Sequence, residues 1–340
     1  NRFILKEDSK LLDEVVVVGM DKQKRNTITA AVSTVASDAI VNRPVTDLSS
    51  ALQGNVAGLN FVTDAAPDGV GGETGAEIKF NIRGVGSING NGGEPYVLVD
   101  GVEQSLQNVN PNDIETISVL KDASAAAVYG ARAAYGVVLV TTKSGRQEKT
   151  RVSYRGTVGF SSPINMPEMM NSLEFAKYVN ERNDNDGVNH KFSDALIEKM
   201  EGFMKNPYSA EFPGIGPNQN GTDWASSMDA VYANTDWFDY YFKDTAIRHS
   251  HNLSVTEGSE KFNYYVGLGY TYQDGLLDKV DDNLSKYNVN TKFQIIANKW
   301  LKFNFNNNIT LSILKRPMAN QTIFYGTLGQ TIPNAPTHYP

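Results

Sequence analysis

Polar and apolar residues alternate with a period of two along four stretches in the second half of the chain. Val152, Tyr154, Val158 and Phe160 fall on one side of a strand whose other side carries Ser153, Arg155, Thr157 and Ser161. Phe262, Tyr264, Val266, Leu268, Tyr270 and Tyr272 oppose Asn263, Gly267, Gly269, Thr271 and Gln273. Tyr287, Val289, Phe293 and Ile295 oppose Asn288, Asn290, Lys292 and Gln294. In the clearest case Leu301, Phe303, Phe305, Ile309, Leu311 and Ile313 oppose Lys302, Asn304, Asn306, Asn308, Thr310 and Ser312. This period predicts strands with two unlike faces. A shorter fifth strand is expected where His251, Leu253 and Val255 alternate with Ser250, Asn252 and Ser254. Aromatic and aliphatic groups on one side with Arg, Lys and Asn on the other suit a transmembrane barrel, lipid outside and polar lumen inside. A soluble antiparallel sheet with one wet face has the same period, and the pattern leaves both open.

The connections carry direction. Residues 257–261 and 298–300 are tight turns, 274–286 is longer, and 163–245 is very long. Outer-membrane barrels keep short turns in the periplasm and long loops outside, so 163–245 is expected to be extracellular. That insertion has helical signals of its own. Asn171 and Glu174 form a capping box ahead of Leu173, Phe175, Ala176 and Val179, and Ser193 caps a helix carrying Leu196, Ile197 and Met200. Trp300 beside a periplasmic turn, and Tyr270 with Tyr272 toward the other rim, fit interfacial aromatic girdles.

The first half reads differently. Residues 110–145 give an apolar strand through Ile114, Ile117, Val119 and Leu120, with Asn112 or Asp113 capping a short turn before it. A small Ala-rich helix is expected from Ala123 to Tyr129, stopped by Gly130, and then a second buried strand from Val137 to Thr142. Upstream, Ala30 to Val35 reads as a short strand and Val45 to Leu59 as an amphipathic helix capped by Thr46 or Asp47 and stopped by Gly58. Phe61 and Val62 start another strand, and Ile78, Phe80 and Ile82 alternate with Lys79 and Asn81 as a half-buried one. The unit carries almost no chemically reactive side chains, which points to a mechanical role.

Composition narrows the functions. The 340 residues carry a net charge of −7 and a pI near 5.2, against a phosphate-tracking nucleic-acid surface. Zero Cys excludes disulfides, thiolate metal sites and Cys nucleophiles. No apolar run is long enough for a transmembrane helix, and Asn1 to Leu5 runs at once into Lys6, Glu7 and Asp8, unlike a signal peptide. The chain opens without Met and ends abruptly at Pro340, so segments beyond both ends are expected. His249 and His251 share a strand face without a third ligand, which is poor for zinc. Residues 182–193 echo a calcium loop but place Arg182 first and Ser193 twelfth, so the motif fails. The Gly84-Val85-Gly86 start lacks the third Gly and the Lys of a phosphate loop. No catalytic constellation and no cofactor site is expected, so the chain is not read as an enzyme.

Five motifs in order carry a resemblance: Asp13 to Gly19 (DEVVVVG), Ala51 to Asn60 (ALQGNVAGLN), Ile82-Arg83-Gly84, Tyr96 to Val102 (YVLVDGV), and the stretch 110–145. Together they resemble the plug domain of SusC-like TonB-dependent outer-membrane transporters. Gly19-Met20-Asp21 departs from the family's Gly-Tyr-Gly, and Asn234 to Asp239 (NTDWFD) extends the likeness more weakly. The fold class this implies is an α+β plug followed by antiparallel strands of a 22-stranded transmembrane barrel, of which this chain holds the first part. The expected domains are 1–20, a TonB-box segment or the end of a preceding domain; 21–147, the plug; and 148–340, the start of the barrel with its insertion at 163–245. Asp13, Glu14, Val15, Val16, Val17 and Val18 would add as a strand to the TonB energy-coupling protein. The same run also reads as the last strand of a preceding domain. Arg83 and Asp100 are expected at the plug–barrel contact, with Arg83 paired to Asp100 or Glu103. Asn89, Asn91, Glu94, Trp224 and Tyr232 are candidates to face substrate by hydrogen bonding and ring stacking. The implied function is active import of an oligosaccharide, or a peptide, with a SusD-like surface lipoprotein; the alternative is a non-transporting outer-membrane receptor or adhesin.

Overall fold

The computed structural model describes residues 15–18, 21–24, 32–41, 48–56, 58–63, 74–76, 78–82, 93–121, 127–217, 224, 230–317 and 327–337. The chain divides into two compact units, one of residues 1–160, 247–275 and 283–315, the other of 161–246, 276–282 and 316–340.

The first unit begins with a two-stranded antiparallel sheet, β1 (Val15–Val18) against β2 (Asp21–Lys24). There follow β3 (Val32–Ala36), the short helices α1 (Ser37–Val41) and α2 (Leu48–Leu52), and the antiparallel pair β4 (Leu59–Thr63) and β5 (Ile78–Ile82). Then come β6 (Tyr96–Val99), β7 (Val102–Glu103), β8 (Ile114–Leu120) and β9 (Val137–Thr142). These join β3 in a mixed sheet of order β3-β8-β9-β6-β7, in which β6 and β9 run parallel and the other pairs antiparallel. The unbroken apolar run of β9 is explained by burial on both faces. Val138 and Val140 join Ile114, Ile117 and Val119 under α1, α2 and the β4–β5 pair, while Val137 and Leu139 pack with Leu98, Leu120 and Ala133 on the opposite side.

Local departures from the sequence expectations have identifiable causes. The helix expected over 45–59 is described only as Leu48–Leu52: Gly54 and Gly58 both take left-handed φ, and Asn55 donates its amide to the Ala51 carbonyl (2.9 Å) to close the last turn. The turn before β8 is capped by Asn110, neither by Asn112 nor by Asp113. With Pro111 holding the first position of a 3₁₀ turn, the Asn110 side chain accepts from the Asn112 N–H. Of the Ala-rich helix, 122–126 lie outside the described residues; 127–129 is a 3₁₀ turn, and a second, 131–133, follows Gly130.

The same unit holds a five-stranded antiparallel meander in chain order: β10 (Arg151–Ser161), β11 (Ala246–Gly258), β12 (Phe262–Asp274), β13 (Asn283–Asn298) and β14 (Leu301–Lys315). The strand around His251 is longer than expected and matches β12 residue for residue down to the short turn. The two open readings of this sheet are separated by which face is covered. Asn252, Lys286, Asn288 and Asn290 are buried, Asn290 to 3 %, while Phe160 is 72 % and Phe305 56 % exposed. A soluble sheet would bury its apolar face; this one buries the polar face and presents Val158, Leu268, Phe303, Ile309 and Leu311 outward.

In the second unit, α3 (Ser172–Asn185) carries the expected capping box and α4 (Asp194–Lys205) the expected Ser193 cap. They pack through Ala176, Val179, Leu196, Met200 and Phe203. The motif NTDWFD starts α5 (Trp237–Tyr241), capped by Asp236. Around it, Ala233 and Thr235 bond to the backbone of 333–335, and the Trp237 indole donates to the Ile332 carbonyl (2.9 Å), so the motif staples two of this unit's three segments, 161–246 and 316–340.

Candidate functional site

The functional geometry lies where the mixed-sheet domain meets the polar face of the meander, within the first unit. The β6–β7 hairpin turns on Asp100 and Gly101, both at positive φ as a two-residue Asp-Gly turn requires. That conformation sends the Asp100 carboxylate back to the end of β9, where it accepts from the Thr142 N–H (3.0 Å) and hydroxyl (2.7 Å). Lys292, inward on β13, donates to the same carboxylate at 2.7 Å and to the Thr142 carbonyl at 2.8 Å. Both charges are largely out of water, where a pair with satisfied hydrogen bonds fixes geometry strongly.

A second set of ties involves the turn capped by Asn110. Tyr265 on β12 is 1 % exposed and donates its hydroxyl to Asp113 at 2.6 Å, while Asn110 donates its amide to Asn252 on β11 at 2.8 Å. Gly267 and Gly269 make this approach possible: a Cβ on either would stand 2.4 Å from Asp113 Oδ1 or Asn110 Nδ2. Burial pushes the Asp113 carboxyl up from 3.8 to about 6, against the opposing pull of the Tyr265 hydroxyl and the Lys143 charge. Further along, Lys286 donates to the Gln107 carbonyl (3.0 Å), and Asn288 (3.4 Å) and Thr310 (2.7 Å) to that of Asn108. Lys292 is registered with Tyr265, near the short-turn end of the meander, and Lys286 with Thr271, near the long-loop end. The domain is therefore fastened along the height of β12 to β14.

At the long-loop end a cavity of about 640 Å³ opens in the mixed-sheet domain, within the size range of ligand pockets. Its wall is stiffened by Arg132, which forks onto Glu103 (2.7 and 2.9 Å) and lies over the Tyr96 ring at 5.2 Å. Tyr135 packs flat against Gly93, where a Cβ would sit 2.0 Å from the ring, and Glu94 and Lys79 complete a lining of both charges with aromatic faces.

Asp100 stands at the contact with the meander, with Lys292 as its partner, and Glu103 is held by Arg132. Arg83, Asn89 and Asn91, like Asp13 and Glu14, lie outside the described residues; Val15 to Val18 form β1. Glu94 lines the cavity. Trp224 forms a bridge with Pro217 and keeps 38 % of its surface exposed. Tyr232 is a core residue of the second unit, its hydroxyl donating to the Ile215 carbonyl at 3.2 Å and its ring under Lys199. Lys292, Tyr265, Asn110 and Asp113 were not singled out from sequence as contact residues. The available signal was a Lys on the polar side of a strand, and two glycines on that side one strand away. Among the described residues no three His, Cys, Asp or Glu side chains gather to hold a metal.

A small α+β domain bolted by buried polar pairs to the inward face of a sheet whose outward face is apolar is a plug held against a membrane-barrel wall. Residues 24–137 match the family described as TonB-dependent Receptor Plug Domain. The chain is 32 % identical over 325 residues to TonB-dependent receptor SusC of Bacteroides thetaiotaomicron, covering 87 % of this chain and 28 % of that protein. It is 31 % identical over 343 residues to a TonB-dependent receptor of Formosa agariphila, covering 98 % of this chain and 30 % of the relative. The RagAB peptide importer, in its open-open state, superposes with a TM-score of 0.68 at 29 % identity, covering 88 % of this chain and 32 % of that one. The chain carries the plug domain of the TonB-dependent receptors, and over most of its length it is similar to the SusC-like members of that group. It spans about 30 % of the length of the curated relatives it matches.

Proposed function

We propose that the complete protein imports a large polar oligomer, an oligosaccharide or a peptide, across the outer membrane, driven by TonB and supplied by a SusD-like surface lipoprotein. The observation that carries this reading is the fastening of the plug. Asp100–Lys292 and Asp113–Tyr265 seal a polar wall from inside, and a receptor or adhesin that moves nothing through its lumen has no use for such a seal. With short turns in the periplasm, residues 163–245 lie outside and the 640 Å³ cavity looks outward as the plug's substrate station. Residues 13–18 form the coupling segment that TonB engages by strand addition. Similarity to a peptide importer keeps peptide beside glycan as the substrate class.

The test is uptake of candidate oligosaccharides and peptides by cells carrying the full-length protein, wild type against a deletion of residues 13–18. Loss of uptake at unchanged surface abundance supports energised import and identifies the substrate class. Uptake that survives the deletion removes the coupling role of that segment, and a wild type that takes up nothing favours the receptor.

A further inference from the structure

We propose that the outward face of the meander carries, at its long-loop end, a binding site for a membrane lipid with a phosphorylated sugar headgroup, in which His249 and His251 donate to the phosphate. The site lies outside the lumen and stands independently of the import reading. Paired residues of β11 to β14 define rows across this face. The aliphatic row of Leu253, Leu268, Val289 and Ile309 is followed toward the long loops by His251 with Tyr270, Tyr287 and Leu311. Next comes His249 with Tyr272, Ser285 and Ile313, and one row further out Asp274 and Lys315 bring charge. Hydrocarbon, ring-bearing interface and water succeed one another in the same order at a bilayer surface. A lipid whose chains cover the aliphatic row therefore sets its headgroup on the two histidines. Further strands of a barrel extend this sheet sideways, so they leave the outward face of β11, β12 and β13 to the bilayer.

Two observations separate this site from an ordinary aromatic girdle. The first is the chemistry of its rings. At the short-turn end of the same sheet the outward rings are Phe262, Phe293 and Phe305, with Tyr264, whose hydroxyl is given to Glu257 at 2.8 Å. A girdle needs amphipathic bulk, which tyrosine supplies by itself. The long-loop end adds two imidazoles, in rows that hold no Lys, Arg, Asp or Glu. The second observation is that both imidazoles have one nitrogen committed. His251 bonds the Tyr154 hydroxyl through Nδ1 at 2.7 Å and lies parallel to the Tyr270 ring, with 6° between the planes. His249 stacks on Tyr272 at 5.3 Å between centroids, and its Nδ1 is enclosed without a hydrogen-bond partner. A proton at that enclosed nitrogen would lack an acceptor, and the Tyr154 hydroxyl donates to the other, so each neutral ring carries its proton on Nε2. Two N–H donors on rings 5.3 Å apart suit one phosphate, whose oxygens accept from several directions. Tyr270 and Tyr287, 4.9 Å apart, offer ring faces to the sugar beside it.

The experiment places the full-length protein in phosphatidylcholine vesicles doped in turn with an acylated, monophosphorylated glucosamine disaccharide, its dephosphorylated form, and phosphatidylglycerol. Lipid kept on re-extraction is counted by native mass spectrometry. Wild type is compared with the double variant His249→Phe, His251→Phe, which keeps both rings and removes both N–H groups. The wild type should retain the phosphorylated glycolipid in preference to the other two, and excess inorganic phosphate should not displace it. The double variant should retain it about tenfold less, as the loss of one or two hydrogen bonds to a charged group implies, at an unchanged melting temperature. Equal retention by the two proteins overturns the assignment, and so does a wild type that holds phosphatidylglycerol or the dephosphorylated lipid as tightly. Displacement by inorganic phosphate overturns it as well, by making the site one for a free anion. The comparison of three lipids on wild type needs no substitution, so it decides the matter whatever the double variant does to folding.

Discussion

Asp113 shows how a single buried group ties the plug to the wall. Its carboxyl is buried against Tyr265 and titrates near 6 instead of 3.8. The folded state therefore holds more protons than the unfolded chain across that window, and the Asp113 contribution to stability falls as pH rises from 3.8 to about 6, then stays constant. Comparing thermal unfolding of wild type and Asp113→Asn across pH should show the wild type losing ground over that window; a flat or rising difference contradicts the assignment. Gly267 offers a test without charge. An added methyl would stand 2.4 Å from Asp113 Oδ1 and 3.0 Å from the Tyr265 hydroxyl. Gly267→Ala should thus cost about 1–3 kcal/mol by overpacking, whereas Gly216→Ala, with open space around it, should cost far less. Equal melting shifts for the two would refute a close plug–wall contact.

At the scale of elements, β3 is placed to move first. It runs antiparallel to β8, with Val32 beside Leu120 and Ala36 beside Thr116, so its amino-terminal end is the end nearer β1 in the chain. On the proposed coupling through residues 13–18, a pull reaches Val32 before Ala36 along the chain. Linking Thr34→Cys to Ser118→Cys, registered partners across that ladder, should abolish uptake in a reductant-reversible way while leaving substrate binding intact; uptake with the link formed would show that β3 stays put. The strands themselves were legible from sequence because alternation and unbroken apolar runs are local signals. β8, β9 and the four long alternating strands stand where the pattern puts them. The contacts between them were not. Nothing near Asp100 in sequence reveals that its cation is Lys292, since that pairing is set by the register of β12 on β13 and by the turn at Gly101. Tyr232 looked like a stacking platform only because sequence cannot distinguish a ring under Lys199 in a core from one at a surface.

For the molecule as a whole the decisive property is its inverted polarity. On the outward face, registered neighbours Leu253, Leu268, Val289 and Ile309 make an aliphatic row across four strands. Aromatic rows flank it, Tyr264 with Phe293 and Phe305 toward the short turns, and His251 with Tyr270 and Tyr287 toward the long loops. A bilayer orders its own interior in the same sequence, apolar at the centre and amphipathic rings near each interface. The inward face at the same height carries Asn252, Gly269, Asn288 and Asn290 against the plug. Position along the strand, not residue type, should therefore decide whether a charge is tolerated. In the full-length protein folding into lipid vesicles, Ile309→Arg, in the aliphatic row, should lose about 2–4 kcal/mol, the penalty of a lipid-facing cation near mid-bilayer. Asn308→Arg, one residue away on the polar face, should escape that penalty. The measurement is a denaturant titration of folding in vesicles for both variants. Equal losses, or a larger loss at Asn308→Arg, would mean that the apolar face does not meet lipid.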